Sequence, residues 1–169
     1  ENWTPAAIAA VKSRVEEGLQ WWTSTLDQVT DRHRLRFHTD YTYADQPVLT
    51  SYEPIRNPSW AATVWVYDFL ETVGIARPED AGENKNWDVL RTDVRAFNHA
   101  QRQKHGTDWA FTIFVVSDQL QKSFAGGFSQ AWALAGGVFF VTPGSRPANT
   151  IAHETGHMFG LAHCLYFRC

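Results

Sequence analysis

The run His153-Glu154-Thr155-Gly156-His157-Met158-Phe159-Gly160-Leu161-Ala162-His163 sets how the rest of the chain is read. His153 and His157 stand four residues apart, so on a helix both imidazoles leave one face and can reach a single ion. Glu154 is turned by about 100° from His153; it misses that ion and leans over the position a water would take. Gly160 marks the helix end, because a residue without Cβ adopts the left-handed conformation at little cost. The turn there lets His163 swing back as a third nitrogen ligand. Three neutral nitrogens leave tetrahedral zinc one open position, where a water's pKa falls to about 7 and a carboxylate can act as general base. His153, His157 and His163 are therefore the candidate metal ligands, Glu154 the candidate catalytic residue, and one catalytic Zn2+ the candidate cofactor. Average residue usage yields this register on the order of once in a hundred thousand chains of this size. A purely structural zinc is the weaker reading, since such sites are usually closed by a fourth protein ligand and give Glu154 no purpose. A helix that merely carries solvated histidines is weaker still.

Upstream of that run, Pro143-Gly144 turns the chain and Asn149 or Thr150 caps a helix from about Ile151 to Phe159. Val138 to Thr142 is a short buried strand. Phe124 to Gly137 alternates small and aromatic residues between two Gly-Gly pairs, as an edge strand or wide hairpin does. Phe111 to Val116 is a continuous apolar run, the pattern of a fully buried strand. Helical stretches are predicted over Trp60 to Val73 and Trp87 to Lys104, with a Gly/Pro-containing loop between them. Residues 42–59 hold three prolines and no periodicity, hence a long surface loop. Asp40, Asp45 and Glu53 could donate oxygens to calcium there, although acidic loop residues are more commonly just solvated. Leu35, Phe37, Thr39 and Tyr41 alternate with polar residues, which predicts a half-buried strand. Thr4-Pro5 is a helix start, and Ile8, Val11, Val15, Leu19, Trp22, Leu26 and Val29 form one apolar stripe behind it, ending near Thr30. The order predicts an α/β (α+β) sandwich, helices packed on a twisted mixed sheet, as a single domain over residues 1–169.

Composition narrows the classes. Hydrophobic residues make up 44% and charged residues 20% of 169, ordinary for a soluble globular domain. A formal net charge of −3 gives no footprint for nucleic acid or an acidic membrane, and the basic stretch Arg95 to His105 is expected to be a solvated helix face. No apolar run approaches the roughly 18 residues of a membrane span. There are eight tryptophans, at 3, 21, 22, 60, 65, 87, 109 and 132, and most are expected to anchor the core or a cleft wall. His33, His38, His99 and His105 lack ligand spacing and are expected to be solvated or hydrogen-bonded. The first residue is Glu1 rather than Met, which suggests a removed leader and export. Cys164 and Cys169 can act only locally, as a disulfide with each other or another segment, or as ligands of a second metal.

The His153-Glu154…His157…Gly160…His163 pattern resembles the elongated zinc motif of the metzincins, a clan of metallopeptidases. The resemblance implies a metzincin-like sandwich, with the three histidines as ligands and Glu154 as base. The coarse order of elements also fits the clan's N-terminal subdomain. The tail, with Cys164 and Cys169 following Gly160, resembles the archaemetzincins, in which such cysteines help hold a second, structural zinc; a secreted metzincin with a disulfide has a similar tail. Metzincins place a methionine turn beneath the zinc and build the far cleft wall after the third histidine. Met158 sits inside the helix and Tyr166 lies too early, so the expectation is a domain truncated after its third zinc ligand. Export implies a secreted or extracellular protein; archaemetzincin membership would place it in the cytoplasm.

The leading expectation is a zinc-dependent endopeptidase whose peptide or protein substrate lies along an edge strand within residues 124–134 by main-chain pairing. The alternative is a zinc-containing binding or assembly module without turnover. An enzyme acting on a non-peptide substrate ranks third.

Overall fold

The computed structural model describes residues 3–83, 85–134 and 136–161. His163, Cys164 and Cys169, and the expectations that fall on them, lie outside the described residues. Helix α1 (Pro5–Val29) starts where the sequence places it: the Thr4 hydroxyl accepts a hydrogen bond from the Ala7 amide at 3.2 Å, and Pro5 occupies the first turn, where no amide hydrogen is needed. Its buried residues are Val15, Gly18, Leu19 and Thr23; Val29, at the end of the predicted stripe, is exposed. Two single turns of 3-10 helix, Pro54–Arg56 and Ser59–Ala61, punctuate the long loop and lead into α2 (Ala62–Thr72). Helix α3 (Trp87–His105) closes on Gly106 in the left-handed conformation.

Three strands follow, β1 (Thr112–Val116), β2 (Trp132–Ala133) and β3 (Phe139–Pro143), in the spatial order β1-β3-β2. β1 runs parallel to β3, from Thr112↔Phe139 to Val116↔Pro143, and β2 runs antiparallel to it, Trp132↔Val141 and Ala133↔Phe140. Because successive side chains point to opposite faces, the sheet supplies two cores. Phe114, Val116, Trp132, Phe139 and Val141 join α2 and α3 in the larger one. Phe140 joins Val15 and Leu19 of α1 and Ile151 and Met158 of α4 (Ala148–Met158) in the smaller, with Ile113 and Ala133 packed against it. The predicted class, helices on a mixed sheet, is what the chain adopts.

Several local expectations are corrected. Leu35 to Tyr41 forms no strand. Its alternation is real, since residues 35, 37, 39 and 41 are each less exposed than their neighbours, but its partners are helical. The Thr39 and Tyr41 hydroxyls both donate to Glu16 of α1, each at 2.7 Å, and Phe37 meets Phe111 edge-on. The Phe124 to Gly137 segment does hold the sheet edge, where among its described residues Trp132 and Ala133 form β2 and Leu134 adds a bond to Phe139; the residues before them fold back on the Ser59 turn. β1 is only partly buried rather than fully. The cap of α4 is Pro147, without a side-chain hydrogen bond, and Asn149 and Thr150 lie inside the helix. Most of the tryptophans are buried or half-buried, as expected; Trp21, Trp60 and Trp109 are exposed. No helix among the described residues is long and apolar enough to cross a membrane.

Candidate metal centre

α4 reaches its place through close backbone packing against α1. A Cβ on Gly18 would lie 2.7 Å from the Ala148 carbonyl oxygen and from Ile151 Cβ, so only glycine lets the two axes approach this closely. Four residues on, the Trp22 indole donates to the Ala152 carbonyl at 2.7 Å, and a Cβ on Gly156 would stand 3.2 Å from the same ring. The Arg14 guanidinium donates to the Gly144 carbonyl in the turn before α4. These contacts fix the rotation of α4. Ile151, Thr155 and Met158 face inward, His153 is exposed and His157 half-buried.

Gly160 ends the helix as its sequence position implies, with φ +81°. Leu161 N donates to Gly156 O at 3.1 Å and Gly160 N to His157 O at 3.0 Å, the paired bonds of a Schellman turn. That turn also carries the Leu161 carbonyl onto His157 Nδ1, 2.6 Å away. A carbonyl only accepts, so Nδ1 is the donor in this bond and Nε2 is the nitrogen that would face a metal. The His153 and His157 rings stand 5.0 Å apart between centroids at 86°. Two imidazoles on one tetrahedral ion, at a metal–nitrogen distance of about 2.0–2.1 Å, have centroids about 5 Å apart. The separation of the two rings is of that size. Among the described residues no three of His, Cys, Asp and Glu converge to hold a metal; the third candidate ligand lies beyond them.

Glu154 is 5% exposed, and no hydrogen bond reaches its carboxylate among the described residues. Burial raises its pKa to about 7, while the nearby His157 pulls it down. Such a carboxyl exchanges a proton near neutral pH at small cost. No family model matches this chain, and neither a curated protein nor a solved structure does.

The calcium candidates do not gather. Asp40 is bonded by Thr42, Lys104 and His105, and the Thr42 hydroxyl and amide hold its carboxyl well below the usual range. Asp45 pairs with Lys12 of α1. His105 and His99 are hydrogen-bonded, to Asp40 and Arg102. Sequence reasoning missed Gly18, Trp22 and Leu161. Gly18 carried a usable signal: a glycine mid-helix costs about 1 kcal/mol against alanine, and its place inside the apolar stripe marks a close approach.

Proposed function

We propose that the chain is a zinc-dependent endopeptidase of the metzincin type, with His153, His157 and His163 as ligands and Glu154 as general base. The observation that carries this reading is the arrangement on α4: two imidazoles at chelating separation, the Nδ1 of His157 held by the Leu161 carbonyl, and a buried carboxyl between them in sequence. Bound zinc supplies Lewis acidity toward a carbonyl and acidity to a water. Glu154 takes up a proton from the attacking water on its carboxylate and hands it to the departing amine. Its raised pKa suits both halves of that exchange, and a cation at the neighbouring imidazoles draws the value down.

The sheet edge offers the peptide site. Leu134 N bonds Phe139 O at 3.2 Å, so the next pair, Ala133↔Phe140, is a non-hydrogen-bonded one. Ala133 therefore turns its amide and carbonyl outward, the pair of groups that an added strand engages. β2 packs against α4, the helix that carries His153 and His157.

The test pairs metal content with a peptide-library digest of the natural protein and its Glu154→Gln variant. The variant should keep one zinc and its melting temperature while activity falls by at least about 10²–10⁴-fold. A protein that binds one zinc, cleaves nothing and is indifferent to Glu154→Gln is instead a binding module. One observation favours that second reading: exposed Trp21, Trp109 and Leu161 surround the end of α4, beside a shallow apolar cavity lined by Trp109, Gly136, Met158, Phe159 and Gly160.

A further inference from the structure

Two stretches far apart in sequence, Pro58-Ser59-Trp60 and Gly126-Gly127-Phe128, interlock just before the sheet edge. Ser59 opens the second 3-10 turn and is only 4% exposed. Its amide donates to the Gly126 carbonyl at 3.1 Å, and its hydroxyl donates to the same carbonyl at 3.4 Å while accepting from the Phe128 amide at 2.8 Å. Ala125 N adds a bond to Asn57 O at 3.4 Å. Gly127, at φ +64°, lies where a Cβ would stand 2.5 Å from Ser59 Oγ and 2.9 Å from the Trp60 ring. The backbone of this turn is therefore fixed by a buried hydroxyl and by two glycines pressed on an indole.

The product of that fixation is Phe128, 70% exposed. A single exposed apolar side chain is ordinary. This one differs because its main chain is held by the buried hydroxyl, and because it precedes Trp132 of β2 by four residues, at most about 14 Å of chain. The outward amide and carbonyl of Ala133 recognise any peptide backbone, so they cannot choose among peptides. Choice has to come from side chains beside the edge. A ring on a pre-set backbone provides it with little ordering left to lose on binding.

We propose that Phe128 is a specificity-determining residue that meets an apolar side chain of an extended peptide docked along β2, and that Ser59 is the positioning residue that holds it there. The proposal rests on the peptide reading above for its occupant, but docking does not require cleavage. Fluorescence anisotropy of the Glu154→Gln chain, with and without one equivalent of Zn2+, separates the two. The probes are labelled ten-residue peptides, one set carrying Leu or Phe and one wholly polar. The apolar set should bind about tenfold more tightly. Phe128→Ala, a change at an exposed position, should erase that preference. Ser59→Ala should reduce it too, yet add no further loss in the Phe128→Ala background; a merely structural Ser59 would shift both peptide sets equally. A preference that survives Phe128→Ala, equal binding of both sets, or binding of neither overturns the proposal. Selective binding without cleavage by the zinc-loaded wild type removes the peptidase reading and leaves this contact standing. Cleavage by a Phe128→Ala protein that retains the wild-type preference does the reverse.

Discussion

The two faces of the sheet are built differently. On one, α2 and α3 bury large side chains, Tyr67, Leu70, Leu90 and Phe139 among them, against each other and the strands. On the other, α4 meets α1 through a short apolar cluster, one indole hydrogen bond and a glycine that nothing larger can replace. The first face stabilises by area. The second places the helix that carries His153 and His157, and for setting a helix rotation and distance matter more than buried area. A site whose ligands must meet one ion tolerates little misplacement.

The sharpest way to break this contrast is one substitution on each face. His153→Ala should abolish zinc binding and activity together, because one of the three proposed ligands is gone, while the melting temperature of the metal-free protein barely moves at so exposed a position. Leu70→Ala removes a fully buried side chain and should cost about 2–5 kcal/mol, leaving zinc stoichiometry intact in the protein that still folds. Metal analysis and denaturant melts on both variants check the pair. Loss of zinc from Leu70→Ala at temperatures where it remains folded would show that the faces are not separable.

A second test uses Glu154, a buried carboxyl on α4. In the metal-free protein the folded-state pKa of Glu154, about 7, lies above its ordinary 4.5. Between those values the folded chain holds a proton that the unfolded chain has released. Stability should therefore fall as pH rises through that window, by on the order of 3 kcal/mol. Glu154→Gln should flatten this dependence. Melts of both proteins at about pH 5 and about pH 8 measure it, and identical slopes would mean that the carboxyl is not desolvated.

What the sequence disclosed follows the same division between local and distant causes. The helices were legible because their signals are local: Thr4-Pro5 starts α1, and Gly160 stops α4. The approach of the His153 and His157 rings was legible because four-residue spacing on a helix fixes a shared face. The alternation from Leu35 to Tyr41 correctly gave which side chains face inward, but period two does not say what they pack on, and Glu16 of α1 took the place of a neighbouring strand. Ser59 could not be found because its partners lie 67 and 69 positions away. The same holds for Trp22, whose acceptor is 130 residues downstream.

Gly18→Ala sharpens the contrast at intermediate size. The added methyl meets a backbone oxygen that cannot swing aside. Overpacking of this kind costs about 1–3 kcal/mol, and the better helix propensity of alanine returns about 1 kcal/mol at most. The net effect should be a lower melting temperature together with weaker zinc affinity, since the strain is relieved only by moving α4. An equivalent change at an exposed glycine, Gly74→Ala at φ +84°, strains the backbone and should leave zinc affinity unchanged. Isothermal titration of zinc into both variants distinguishes displacement of the helix from simple loss of stability.

The smallest expected effect tests whether the site face depends on a single directional bond. Trp22→Phe keeps an aromatic ring against Gly156 and Phe159 but removes the indole donor to the Ala152 carbonyl. That carbonyl sits within α4 and retains its own helical partner four residues on, so no buried acceptor is stranded. The loss should stay near the net worth of one hydrogen bond, about 0.5–1.5 kcal/mol. Ala152 immediately precedes His153, so the released helix can turn about its axis and carry both imidazoles together away from the rest of the proposed ligand set. Zinc affinity should fall by a larger factor than the melting temperature alone implies. Equal proportional losses in both would mean that the indole contributes only area, and that the site face is built like the other one.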